Sequence, residues 1–192
     1  MATSGGSAGR TRRLAPAAAR TSAPAQTPVA LHPLIGVKLW KNPCWLSFRI
    51  NFLALKFNVP IYGWIERRHG LMRPEYVVLY SLGLRDGIAA KDVVASTGFP
   101  KNTLSRAIQK LLRQGIIRRA ASRTDRRSYV LHLTARGRRI LDDTVPLLIG
   151  RERTMLAPLT SGEREQLASL LAKLVVDSPR WPPHVFAEEE LA

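Results

Sequence analysis

The chain has a single cysteine, Cys44, in 192 residues. That excludes an intrachain disulfide framework and any cysteine-based zinc site. Its four histidines (His32, His69, His132, His184) show no metal-ligand spacing. No apolar run is long enough to span a bilayer, so a membrane is not an expected partner. Neither a Gly-rich phosphate loop nor a nucleophile motif is present. An enzyme is therefore not expected, and neither is a cofactor or a metal. The reading is a reducing, cytoplasmic compartment. Acidic residues are the most informative shortage. The first in the chain is Glu66, and between Lys101 and Arg139 only Asp125 stands against twelve basic residues.

What is present balances those absences. The hydrophobic fraction is 45%, enough for a core, and the formal net charge is +16. A charge of that size favours a polyanionic partner, nucleic acid or an anionic surface. Residues 1–31 are mostly Ala, Ser, Thr, Pro and Gly with Arg10, Arg12, Arg13 and Arg20. The composition is that of a transit peptide, but amphipathic spacing is missing, so a disordered basic tail is expected.

From Leu31 to Pro43, two prolines suggest an extended arm. Trp45 to Arg68 carries Leu46, Ile50, Leu53, Phe57, Ile61 and Trp64 near helical spacing. Pro60 and Gly63 predict a kink or break inside it. This helix is too apolar for a monomer's surface. A second helix follows Pro74 to about Leu82, burying Val77, Val78 and Leu82. Arg85 to Gly87 forms a turn, and Ile88-Ala89 a short edge strand.

Lys91 to Ser96 reads as a short helix stopped at Gly98. Lys101 to Gln114 is the next, with Leu104, Ile108, Leu111 and Leu112 on one stripe and polar or basic residues elsewhere. Two helices joined by a few residues including Gly, the second apolar on one face and basic on the other, follow helix-turn-helix logic. After Gly115 comes a strand, a loop from Ser122 to Arg127, and a return strand through Tyr129, Leu131 and Leu133. Thr134 is the expected N-cap of a long helix to Leu156 with a bend at Pro146. Thr160-x-x-Glu163 has capping-box spacing before a last helix through Leu167, Leu170, Leu171 and Leu174.

This order resembles the MarR family of winged helix-turn-helix transcription regulators over most of residues 45–176. The stretch Asp125-Arg126-Arg127-Ser128-Tyr129-Val130-Leu131-His132-Leu133-Thr134-Ala135-Arg136-Gly137 is similar to the family's wing signature: Asp-x-Arg, an alternating strand ending Leu-Thr, and a Gly three residues on. Gly70-Leu71-Met72-Arg73-Pro74-Glu75-Tyr76 resembles its Gly-Leu-Thr-x-x-Gln-aromatic junction, with Met72 and Glu75 as departures. Thr103-Leu104-Ser105-Arg106 fits the recognition helix.

The resemblance implies a mainly α fold with a small β wing, a winged helix-turn-helix with flanking dimerisation helices. The corresponding division is a disordered basic tail (1–32), an arm and first dimerisation helix (33–72), and a DNA-binding lobe (73–137). Dimerisation helices (138–177) and a flexible arm (178–192) complete it. The implied function is a homodimeric repressor on a pseudo-palindromic double-stranded DNA operator. Asn102, Thr103, Ser105, Arg106 and Gln109 are candidates for base edges, and Lys101, Lys110, Arg118 and Arg119 for phosphates. Arg127, oriented by Asp125, would enter the minor groove, flanked by Arg123 and Arg126. Many relatives bind small aromatic acids between the dimer helices and the lobe. Trp45, Arg49, Tyr62 and His69 are the candidates here, with Asn51, Trp64, Tyr76 and Tyr80 nearby. Two alternatives stand: redox sensing through Cys44, whose place at a helix start suits a reactive thiol, and sequence-neutral binding of nucleic acid by charge alone.

Overall fold

A computed structural model of the chain describes residues 31–122 and 129–182. It divides into two compact units, Met1–Trp45 and Leu46–Ala192.

In the first unit, α1 spans Pro33–Trp40, where an extended arm was expected. Proline does not prevent this helix because it sits in the first turn, where its missing N–H has no intrahelical role. The His32 ring nitrogen accepts the Leu34 N–H at 3.2 Å and supplies the cap.

The second unit is built on α2, whose first residue is Trp45 and whose last is His69. Of the kink or break expected at Pro60 and Gly63, the break does not occur, and α2 runs past both residues as one helix. Proline at 60 leaves the Lys56 carbonyl without its usual donor. Arg151, from a later helix, donates to that oxygen and to the Phe57 carbonyl. The donor lost to proline is replaced from outside the helix.

Next come α3 (Arg73–Leu84), the strand β1 (Ile88–Ala89) and α4 (Ala90–Thr97). They are followed by α5 (Lys101–Arg113), β2 (Ile117–Ala121) and β3 (Tyr129–Leu133). Gly98 closes α4 at φ 69°, a left-handed conformation that lets the chain turn into α5 within three residues. The α3 face in the core is Tyr76, Val78, Leu79 and Leu82, whereas the expected Val77 is half-buried. All strands are antiparallel in the order β1-β3-β2, with Ile88 opposite Leu131 and Ile117 opposite Leu133. Leu104, Leu111, Ile116, Ile117 and Leu131 join the α3 residues in one core.

The last helices are α6 (Ala135–Leu156) and α7 (Ser161–Asp177), followed by a 3-10 turn at Ser178–Arg180. Thr134 caps α6 by accepting the Gly137 N–H at 3.3 Å, and the Thr160–Glu163 capping box opens α7. The Tyr76 hydroxyl lies 2.8 Å from Thr144 Oγ1. Because Thr144 gives its own proton to the Ile140 carbonyl at 2.7 Å, Tyr76 is the donor of that pair. Burial pushes the Tyr76 phenol up to about 12. None of the described helices is long and apolar enough to cross a membrane.

Candidate nucleic-acid interface

The sequence of α5 divides it cleanly. Leu104, Ala107, Ile108 and Leu111 are buried, while Lys101, Asn102, Ser105, Arg106 and Gln109 are exposed and Thr103 is half-exposed. At about 100° per residue, Asn102, Ser105, Arg106 and Gln109 share one arc of roughly 100°, and the buried four lie opposite. A rigid helix thus presents two long side chains capable of paired hydrogen bonds, Arg106 and Gln109, beside two short polar ones.

Lys110 is on the edge of that arc and turns inward. Its Nζ lies 3.2 Å from the Glu75 carboxylate and donates to the Gly70 carbonyl at 3.3 Å. Glu75 is 8% exposed and also accepts the Met72 N–H at 2.6 Å. The departure at Glu75 therefore has a structural use, joining the start of α3 to α5. Lys110→Met should leave that carboxylate with no cation, at a cost of about 2–3 kcal/mol. Equilibrium urea unfolding checks this; unchanged stability together with weakened nucleic-acid binding would return Lys110 to a phosphate role.

On β2, Arg118 and Arg119 are both exposed, but successive strand residues point to opposite faces. They cannot serve one row of phosphates together. The base of the hairpin is clamped by Asp86, which sequence reading passed over as part of a turn. Its carboxylate lies 2.8 Å from His132 Nδ1 and accepts the Leu133 N–H at 2.8 Å. Burial raises the Asp86 carboxyl, but the His132 and Leu133 hydrogen bonds and the nearby Arg138 outweigh it, so the net shift is downward. Arg123, Asp125, Arg126 and Arg127 lie outside the described residues.

The four residues expected around an effector are not gathered on one chain. Trp45 and Arg49 sit in the first turns of α2, with Trp45 exposed. Tyr62 is in its second half, 5.9 Å from the Tyr76 ring and covered by Arg73 at 5.5 Å. Burial raises the Tyr62 phenol, opposed by Arg73. At 1.5 Å per residue, Arg49 and Tyr62 are about 20 Å apart. His69 ends α2, with Nε2 3.0 Å from Asp143 but without hydrogen-bond alignment. It lines a polar cleft of about 680 Å³ with Arg68, Arg136, Arg139 and Asp142. A smaller cleft of about 410 Å³ runs between α3 and α6, along Tyr80, Leu84, Arg138, Leu141 and Val145. Cys44 is exposed, with its N–H bonded to Asn42. No group of residues suited to a metal ion occurs among the described residues.

Comparison with known proteins agrees with this geometry. A MarR family model matches residues 69–128, from the last residue of α2 to the residue before β3. The transcriptional regulator HosA of Escherichia coli O157:H7 is 25% identical over 112 residues, 58% of this chain and 83% of HosA. Among solved structures, MepR of S. aureus in complex with DNA superposes with a TM-score of 0.62 at 19% identity. It covers 69% of this chain and 95% of MepR. PcaV of Streptomyces coelicolor, in complex with its natural ligand, gives 0.58 at 21% identity, covering 73% of this chain and 96% of PcaV. With its helix-turn-helix and three-stranded wing sheet, the chain has the winged helix-turn-helix fold of these regulators, and its residues 69–128 match the MarR family.

Proposed function

We propose that this regulator is a repressor that binds a pseudo-palindromic DNA operator as a homodimer and is released by a small aromatic carboxylate. The observation that carries the DNA reading is the exposed polar arc of α5 on a helix anchored by its opposite face. Asn102, Ser105, Arg106 and Gln109 would meet base edges in the major groove. Thr103 borders that arc. Lys101 and Arg118 would hold phosphate. On the resemblance, Arg127 held by Asp125 would enter the minor groove, with Arg123 and Arg126 on the backbone beside it. The neighbouring MepR structure, determined with DNA, supports the partner class.

Release by a ligand is supported by the PcaV neighbour, determined with its natural ligand. Arg49 would pair with a carboxylate and Trp45 and Tyr62 would flank a ring, with His69 at the cleft. The distance along α2 means that such a site draws Arg49 and Tyr62 from two copies of the chain.

Arg106→Ala is the direct test. Affinity for the chain's own operator, isolated from its upstream region, should fall by about 1–3 kcal/mol while affinity for scrambled DNA holds. An equal loss on both would leave a sequence-neutral basic binder. The effector claim is tested by titrating aromatic carboxylates, and separately peroxide, into the complex. Release by peroxide alone would move the sensor to Cys44.

A further inference from the structure

Each of the two long helices carries a proline where its packing changes. Before Pro60, α2 leaves Leu46, Ile50, Leu53, Leu55 and Val59 exposed; after it, Ile61 and Ile65 are buried. In α6 the order is reversed. Ile140, Leu141 and Thr144 are buried ahead of Pro146, and Leu147, Ile149 and Met155 are exposed beyond it. Both helices therefore have one half seated on the lobe and one half projecting from it. Proline at such a junction removes one backbone hydrogen bond and pushes aside the carbonyl four residues back, which loosens or bends the helix there.

At Pro60 the vacated acceptor has a new partner. Arg151, half-buried on the projecting half of α6, donates from Nη2 to the Lys56 carbonyl and from Nε to the Phe57 carbonyl at 3.1 Å. A guanidinium suits this task because its planar fork offers adjacent donors in a fixed geometry. A lysine could reach one oxygen but would not hold two consecutive carbonyls in register. The second tie between these helices is at the far end of α2, where Arg68 and His69 meet Asp143.

We propose that Arg151 is a positioning residue for operator binding: by replacing the donor absent at Pro60, it sets the angle at which the projecting halves of α2 and α6 leave the lobe. The inference rests on the homodimer reading above. If those halves form the interface, their angle fixes the separation and rotation of the two recognition helices. A dimer reads two half-sites about one helical turn apart. One added base pair rotates a half-site by about 35°, so a fixed angle demands a fixed spacing.

The test selects a 30-base-pair duplex from a random pool with the unsubstituted protein (roughly three helical turns). One base pair is then inserted or deleted at its centre. The unsubstituted protein should prefer the selected spacing about tenfold over either neighbour. Arg151→Met should flatten that preference to under about threefold, while remaining dimeric by light scattering. Arg151→Lys, which keeps the charge without the fork, should flatten it too. Pro60→Ala combined with Arg151→Met returns an N–H to the Lys56 carbonyl and should restore a sharp preference for one spacing. A uniform loss of affinity at every spacing in Arg151→Met would make the residue merely structural and overturn the inference. So would a double variant that stays flat. If the unsubstituted protein shows no spacing preference, the dimeric operator reading fails, and the inference with it.

Discussion

Gly137→Ala is expected to destabilise the lobe by about 3 kcal/mol, above the usual cost of a single added methyl. A Cβ built at Gly137 overlaps the Ile116 carbonyl oxygen and comes within 3.3 Å of Leu133 and Leu79 side-chain carbons. The side chains could yield, but the carbonyl cannot. It accepts from the Thr134 N–H at 3.1 Å and from the Thr134 hydroxyl at 2.9 Å. Those bonds tie the exit of β3 and the cap of α6 to the residue just before β2. A methyl group there must separate α6 from the sheet or break the cap. The loss would lower the melting temperature by roughly 6–12 °C for a chain of this size. Differential scanning calorimetry of the purified variant decides it, and a shift of less than about 2 °C would show that the α6–sheet contact is not close-packed.

The second large effect is expected at α7. Leu167, Leu170, Leu171 and Leu174 share one face of this helix, and each is 38–51% exposed. None of its residues is buried. The apolar side of α2 before Pro60 is bare as well. Fully burying one such leucine is worth about 1.5–3 kcal/mol, so these faces together supply a strong drive for association. Leu170→Glu with Leu174→Glu places two charges on the stripe, one turn apart. The double variant should run at 21.4 kDa in light scattering, rather than at twice that mass. Affinity for the operator should fall about 10²–10⁴-fold, because the two half-sites no longer bind as a linked pair. The lobe core, which α7 does not enter, should melt as before. A double variant that keeps the doubled mass would show that α7 is not part of the interface.

The parts of this protein that were legible in its sequence are those written in short-range patterns. The α5 stripe, the Thr134 cap, the Thr160–Glu163 box, the Gly98 stop and the paired strands each involve residues a few positions apart. Sequence reading went wrong where a local rule met a distant partner or a special position. Prolines at 33 and 43 suggest an extended arm, yet Pro33 lies in the first turn of a helix, where a proline is tolerated. Pro60 and Gly63 inside the apolar run predict a kink or break, yet α2 is continuous, and the donor to the Lys56 carbonyl comes from far along the chain. Lys110 looked like one more phosphate contact in a basic run, yet its partner is a buried carboxylate on another helix.

By itself, then, the amino-acid order determined the order of elements from α2 to α7 and the exposed polar face of α5. Those follow from periodicity, caps and charge, which act within a turn or two of helix. Only the tertiary structure decided which groups are spent on holding the lobe together. Lys110 meets Glu75 across 35 positions, His132 meets Asp86 across 46, and Arg151 reaches Lys56 across 95. At such separations chain order says nothing about proximity. Buried polar groups find partners wherever packing brings a donor to an acceptor.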